Sequence, residues 1–234
     1  LKFESSTAGP AALAAAPAAS THLPYRPDID GLRAVAVLSV VLFHAFPALL
    51  PGGFIGVDVF FVISGFLISG ILMRELEQDR FSVAGFYARR IKRIFPALLV
   101  VMLTCLVFGW YALFADEYQQ LGKHVAGGAG FAANFFYWAQ VGYFDTAAHT
   151  KPLLHLWSLG IEEQFYIVWP AVLLLAWRLR ANLLAVTTAL ALLSFALNAG
   201  GMAHYATATF YSPASRAWEL LAGALLAIAA HRGS

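Results

Sequence analysis

Long apolar runs constrain this chain more than any other feature. They lie at about residues 32–50, 54–73, 94–114, 153–177, 182–197 and 213–230. Crossing a bilayer takes about 20 mostly apolar residues as a helix, and each run approaches that length. The expected fold class is therefore all-α: a polytopic transmembrane helical bundle of about six spans. Composition agrees, with 60% of the 234 residues hydrophobic and 12% charged, and a mean hydropathy of +0.70. Soluble domains hold roughly 45–50% apolar and about 25% charged residues. A formal charge of +2 gives no reason to expect nucleic acid as a partner. Cys105 is the only cysteine and lies in an apolar run, so no intramolecular disulfide can form and redox compartment is not readable.

The first 23 residues are rich in Ala, Pro, Ser and Thr and read as a disordered tail, with residues 24–234 forming the membrane domain. The chain opens on Leu and stops directly after an apolar helix, which gives it the look of a piece of something longer. Residues 122–140 are Gly- and Ala-rich, carry Asn134, and suit a re-entrant or interfacial segment better than a span. Basic residues decide between these readings. Arg74, Arg80, Arg89, Arg90, Lys92 and Arg93 mark a cytoplasmic loop, so the turn at Pro51 faces outward. With 122–140 re-entrant, Arg178 and Arg180 also fall inside. Span six is expected to start at Ser212 as N-cap with Pro213 at the first helical position.

Arg33 and His44 stand eleven residues apart in the first run. On a helix they share a face within about 20°, some 16 Å apart along the axis. Arg33 is then expected near the cytoplasmic interface and His44 deeper, in the outer half. A neutral imidazole accepts a hydroxyl proton, and a guanidinium holds a phosphate bidentately. The separation is comparable to an extended phosphopantetheine arm, so one donor could touch both. A snorkelling arginine and a structurally bonded histidine would also account for the pattern.

Five blocks in order carry a family resemblance. They are Tyr25-Arg26-Pro27-Asp28-Ile29-Asp30-Gly31-Leu32-Arg33-Ala34 with His44; Gly53-Phe54-Ile55-Gly56-Val57-Asp58-Val59-Phe60-Phe61-Val62-Ile63-Ser64-Gly65-Phe66-Leu67; Arg89-Arg90-Ile91-Lys92-Arg93-Ile94-Phe95-Pro96; Leu153-Leu154-His155-Leu156-Trp157-Ser158-Leu159-Gly160-Ile161-Glu162-Glu163-Gln164-Phe165-Tyr166; and Ser212-Pro213-Ala214-Ser215-Arg216-Ala217-Trp218-Glu219-Leu220. Together they resemble the membrane acyltransferase-3 family of bacterial surface-polysaccharide and peptidoglycan O-acetylases. The resemblance implies a catalytic histidine in the Arg-x10-His pair, matched by Arg33 and His44. It also implies an Arg-x-x-Arg pair tied to the acyl donor, matched by Arg90 and Arg93. Family members carry further membrane helices beyond the Arg216 block, and many add a periplasmic hydrolase-like domain.

The remaining polar positions each admit a second reading. Arg90 and Arg93, one turn apart, suit the phosphates of acyl-CoA, although a basic cluster also holds anionic lipid headgroups. Asp58 either orients a histidine or arginine or forms a structural ion pair. Ser64 is outside any nucleophile-elbow pattern, and its Ser64-Gly65 pair suits close helix packing. His155, Ser158, Glu162 and Tyr166 form one stripe, a costly feature in a membrane helix unless it lines a cavity. The stripe reads as acceptor-site wall or support for His44. Glu163 projects about 100° from Glu162 toward a different partner. Arg216 and Glu219 share a face and either serve the acceptor or neutralise each other. No metal is expected, because His155 and the paired glutamates lack a known ligand spacing.

The expected activity is acyl transfer from a cytoplasmic acyl-CoA, acetyl-CoA foremost, to a hydroxyl of a carbohydrate or lipid-linked glycan. The expected setting is the bacterial inner membrane, with membrane lipids as partners and no bound cofactor. One competing expectation is a transporter or flippase for a lipid-linked sugar or organic anion, with the intramembrane His, Asp and Glu as a proton relay, and a third is a non-catalytic assembly or scaffold protein. A basic donor socket beside a single span favours the acyltransferase.

Overall fold

A computed structural model describes residues 26–140 and 151–233. Among the described residues the structure is all-helical, with no strand. In chain order the helices are α1 (Pro27–Ala45), α2 (Gly56–Glu77), α3 (Val83–Ala112), α4 (Ala115–Ala129), α5 (Ala133–Gln140), α6 (Leu156–Arg178), α7 (Leu183–Met202), α8 (Ala206–Tyr211) and α9 (Pro213–Gly233), with a 3-10 turn at Gly53–Ile55 leading into α2. Local chemistry sets several of the starts. Pro27 opens α1 with Asp28 and Asp30 in its first turn, where carboxylates oppose the positive helix end. The Ser82 hydroxyl accepts from Gly85 N–H at the start of α3, and Asn182 Oδ1 accepts from Leu184 N–H at the start of α7. Pro213 opens α9 as expected.

Among the described residues four segments are long and apolar enough to cross a membrane: Gly53–Glu77, Val83–Ala112, Leu156–Arg178 and Leu183–Met202. The other two expected spans fall to α1, with Asp28, Asp30 and Arg33 in its first two turns, and α9, with Arg216 and Glu219 in its first two. The tail at 1–23 lies outside the described residues.

At the centre, α2 crosses α9 with backbones almost in contact. A Cβ at Gly65 would overlap the Leu220 carbonyl, and one at Gly223 would overlap the carbonyl of Val62. Small residues at such a crossing let dispersion contacts accumulate where lipid offers no hydrophobic drive. Phe61, Ile68 and Leu72 of α2, Ile161, Trp169 and Leu173 of α6, and Leu220 and Ala224 of α9 form the main core. A second core joins Leu98 and Met102 of α3, Leu121 of α4, Tyr137 of α5 and Leu156 of α6.

The ends of the bundle differ. The finish of α2, the start of α3 and the finish of α9 meet through Arg89 with Glu75 at 2.5 Å and His231 with Glu77 at 2.5 Å. Arg232 reaches Asn182 at the start of α7. The opposite end holds the Pro51 turn and the starts of α2, α6 and α9, where Arg216 meets Asp58 and Trp157 packs edge-on against Phe61.

Residues 122–140 turn back on themselves. After α4 the chain reverses at Phe131, which adopts a positive φ of 53°, and α5 returns so that His124 and Gln140 are 2.9 Å apart. The two legs, α4 and α5, thus pack against each other as a helical hairpin.

Candidate functional site

Helix α1 meets α2 through two glycines. A Cβ at Gly53 would overlap the Ser39 carbonyl, and one at Gly56 the Ala36 carbonyl. This pairing joins the middle of α1 to the start of α2, and it moves Arg33 from its expected place. The Arg33 guanidinium lies 5.4 Å from the Phe60 ring centroid. Phe60 is about 6 Å along α2 from Gly56 and about 26 Å from Glu77. Arg33 is thus well away from the basic end rather than beside it, because the helices are staggered instead of matched end to end.

His44 lies at the Pro51 end, exposed, with Nδ1 2.8 Å from the Val40 carbonyl. A carbonyl only accepts, so Nδ1 carries a proton and Nε2 is the nitrogen left open to other partners. Among the described residues no carboxylate bonds to His44; its own helix orients it. His155 lies within electrostatic range of His44.

Between α1, α2 and α6 is a cavity of about 290 Å³. Ala36, Val40, Val57 and Phe61 line one side, and His155, Ser158 and Glu162 line the other. Three of the four residues in the expected α6 stripe therefore face one space. Ser158 Oγ donates to the His155 carbonyl at 3.0 Å. Glu162 is the hub: Ser64 Oγ donates to its Oε1 at 2.5 Å, and the Tyr166 hydroxyl donates to the same oxygen. Tyr166 in turn lies under a guanidinium, with Arg90 4.5 Å from its ring centroid. A polar path thus follows α6 for about 16 Å, from His155 to Tyr166 and on to Arg90.

Glu163 points elsewhere, as its 100° offset requires. It is 7% exposed, its Oε1 has no hydrogen-bond partner among the described residues, and Arg90 and Arg93 are cations whose field it feels. Arg93 itself is exposed.

Asp58 finds an arginine rather than a histidine. Arg216 Nη2 lies 2.5 Å from Asp58 Oδ1, and Nη1 lies 3.2 Å from Glu219 Oε1. The guanidinium centre is 5.7 Å from the ring centroids of Phe61, Trp157 and Phe210. This caged triad backs the cavity through Phe61 and joins α2 to α9. Among the described residues, no three His, Cys, Asp or Glu side chains gather to hold a metal ion.

Two polar groups were not anticipated. Ser64, read only as a packing residue, is a direct donor to Glu162. Gln164 donates to the Phe131 carbonyl at 2.7 Å and to Asn134 Oδ1 at 2.8 Å, and Asn134 donates to the Tyr211 carbonyl at 3.0 Å. The two amides fasten the α4–α5 hairpin and α8 to α6. The one signal in the sequence was the presence of amides inside otherwise apolar runs.

Comparison with known proteins bears on what such a site does. The acyltransferase domain family matches residues 26–234. The chain is 38% identical over 218 residues to the peptidoglycan O-acetyltransferase OatA of Listeria monocytogenes, covering 87% of this chain and 34% of that protein. It is 38% identical over 222 residues to YrhL of Bacillus subtilis, covering 88% and 34%. A Haemophilus influenzae protein without an assigned role is 37% identical over 182 residues, 73% of each chain. The chain spans about a third of the length of the Listeria and Bacillus relatives. No solved structure matches it. With nearly its whole described length covered by the family, and with several helices apolar enough to cross a bilayer, this chain is an integral membrane protein that belongs to the acyltransferase-3 family of acyltransferase domains.

Proposed function

We propose that this chain is the membrane acyl-transfer unit of an enzyme that moves an acyl group, acetyl foremost, from cytoplasmic acyl-CoA to a hydroxyl of a cell-surface glycan. The observation that carries the reading is the path along α6, which joins Arg90 near the basic end to His155 and His44 at the opposite end past one apolar cavity. A thioester donor has this polarity: anionic phosphates at one end and a reactive carbonyl an arm's length away. Arg90 and Arg93 hold the phosphates, and Arg33 steadies the donor from the α1 side. His44 Nε2 takes the proton of the acceptor hydroxyl as its oxygen attacks the thioester carbonyl. The carbon–sulfur bond then breaks, and the imidazolium returns the proton to the departing thiolate. Glu162, held by Ser64 and Tyr166, fixes the cavity wall between donor and base. In this reading α1 and α9 complete six spans, the basic end is cytoplasmic and the membrane is the bacterial inner membrane. The peptidoglycan named for the Listeria relative is the first acceptor to test.

The experiment is transfer of radiolabel from acetyl-CoA to an isolated glycan by the purified full-length protein. The proposal expects label on the glycan as an ester released by mild base. Movement of a lipid-linked sugar across a vesicle bilayer, with no label on sugar, would support the transporter reading instead.

A further inference from the structure

We propose that the polar cavity between the start of α4 and the Lys151–Pro152 turn is a subsite for one sugar ring of the acceptor glycan, an inference that rests on the acyl-transfer reading. The cavity measures about 210 Å³ and is lined by Asp116, Glu117, Gln119, Gln120, His124 and Lys151, among others. Its position suits an acceptor. It opens at the Pro51 end, opposite the basic cluster, and Lys151 is one turn before His155, with the Leu154 N–H donating to the Lys151 carbonyl at 3.1 Å. A ring held here stands beside the mouth of the cavity that His155 lines.

The chemistry of the lining suits hydroxyls. A sugar hydroxyl both donates and accepts, so it needs neighbours of both kinds, and carboxylates, amides, an imidazole and an ammonium supply them. Two carboxylates against one ammonium disfavour a phosphate, which separates this cavity from the donor end. The back wall is fixed. His124 is 4% exposed, its ring lies 4.7 Å from that of Tyr137, and its Nε2–H donates to Gln140 Oε1. Burial holds His124 below the ordinary histidine range, so the ring stays neutral and Nδ1 remains an acceptor. The front is adjustable. Glu117 accepts from the Phe114 N–H at 2.9 Å, whereas Gln120 accepts from Gln140 at 3.5 Å, a long bond exchanged at little cost. Ligand sites for drug-sized molecules run to about 300–1,000 Å³, so this smaller space fits a single ring with its neighbours lying outside.

The test uses an otherwise cysteine-free full-length protein with Gln119→Cys, and an uncharged oligomer of N-acetylglucosamine as probe. The oligomer is expected to slow modification of the thiol by a hydrophilic maleimide, with or without acyl-CoA present. Asp116→Asn combined with Gln120→Ala should weaken that protection about tenfold, by removing neutral and charge-assisted hydrogen bonds, while leaving the KM for acyl-CoA unchanged. No protection by the oligomer, or protection unaltered in the double variant, overturns the subsite. Protection without any acetyl transfer would leave the subsite standing and count against the acyl-transfer reading alone.

Discussion

Arg216 has a side chain only 12% exposed and lies between two carboxylates and three aromatic rings. Glu219 is 1% exposed. Neither of its oxygens has a well-directed hydrogen bond among the described residues, so its hold on Arg216 is charge against charge rather than a directed bond. Removing one member of a buried pair leaves the other charge uncompensated, which costs about 3–5 kcal/mol. Glu219→Ala leaves Arg216 with Asp58 and is expected to destabilise the solubilised protein by less than that, read as a lower thermal unfolding midpoint. Asp58→Ala should cost less, because 36% of its side chain is open to solvent. An unchanged midpoint in Glu219→Ala would remove the triad from the account of stability. The pairing of Arg216 with Glu219 was legible in their three-residue spacing. Asp58 lies 158 residues away from Arg216, and no local spacing announces a partner at that distance, so its choice of arginine over histidine appeared only in the fold.

Between elements, the close crossing of α2 and α9 decides how the site is held, since it sets Phe61 against the Arg216 cage and Ser64 toward Glu162. Gly65→Ala would place a methyl group on the Leu220 carbonyl. Overpacking costs about 1–3 kcal/mol even where side chains can yield, and here the obstacle is backbone. The variant is expected to lose folded yield and thermal stability, whereas Gly70→Ala, with nothing near its Cβ, should not. Equal behaviour of the two would show that the helices have room to part. The helices themselves were readable because bilayer length and apolar runs coincide. The boundaries were less so: α1 starts at Pro27 rather than near residue 32, since proline at a first turn promotes a helix that hydropathy alone begins later. The stagger of α1 against α2 was not readable at all. It depends on two glycines that each contact a carbonyl, and a hydropathy profile carries no record of which backbone atoms touch.

Over the whole molecule, charge is distributed unevenly. Nine of the fifteen Lys and Arg residues, at positions 74, 80, 89, 90, 92, 93, 178, 180 and 232, belong to the end where α2, α6 and α9 finish. On the positive-inside rule, the proposed reading has that end cytoplasmic. In an otherwise cysteine-free protein, Gly52→Cys should react with an impermeant maleimide on intact cells, and Gln78→Cys should react only after the membrane is opened. Gly52 has a φ of −91°, so a side chain is tolerated there. The reverse labelling pattern would invert the protein and place the donor on the wrong side. In the proposed function, one end of the α6 path binds the donor and the other performs the chemistry. The most direct test is an acetyl-CoA titration of the full-length enzyme, comparing wild type with Arg90→Ala, Arg93→Ala and His44→Ala. Losing a charge-assisted phosphate contact of about 1.5–3 kcal/mol should raise the KM for acetyl-CoA roughly ten- to a hundredfold in the arginine variants, with kcat restored at saturation. Losing the base should lower kcat by about 10²–10⁴ in His44→Ala, with donor affinity intact. If the arginine variants instead lose kcat at unchanged donor affinity, or His44→Ala turns over normally, the path does not divide donor binding from chemistry.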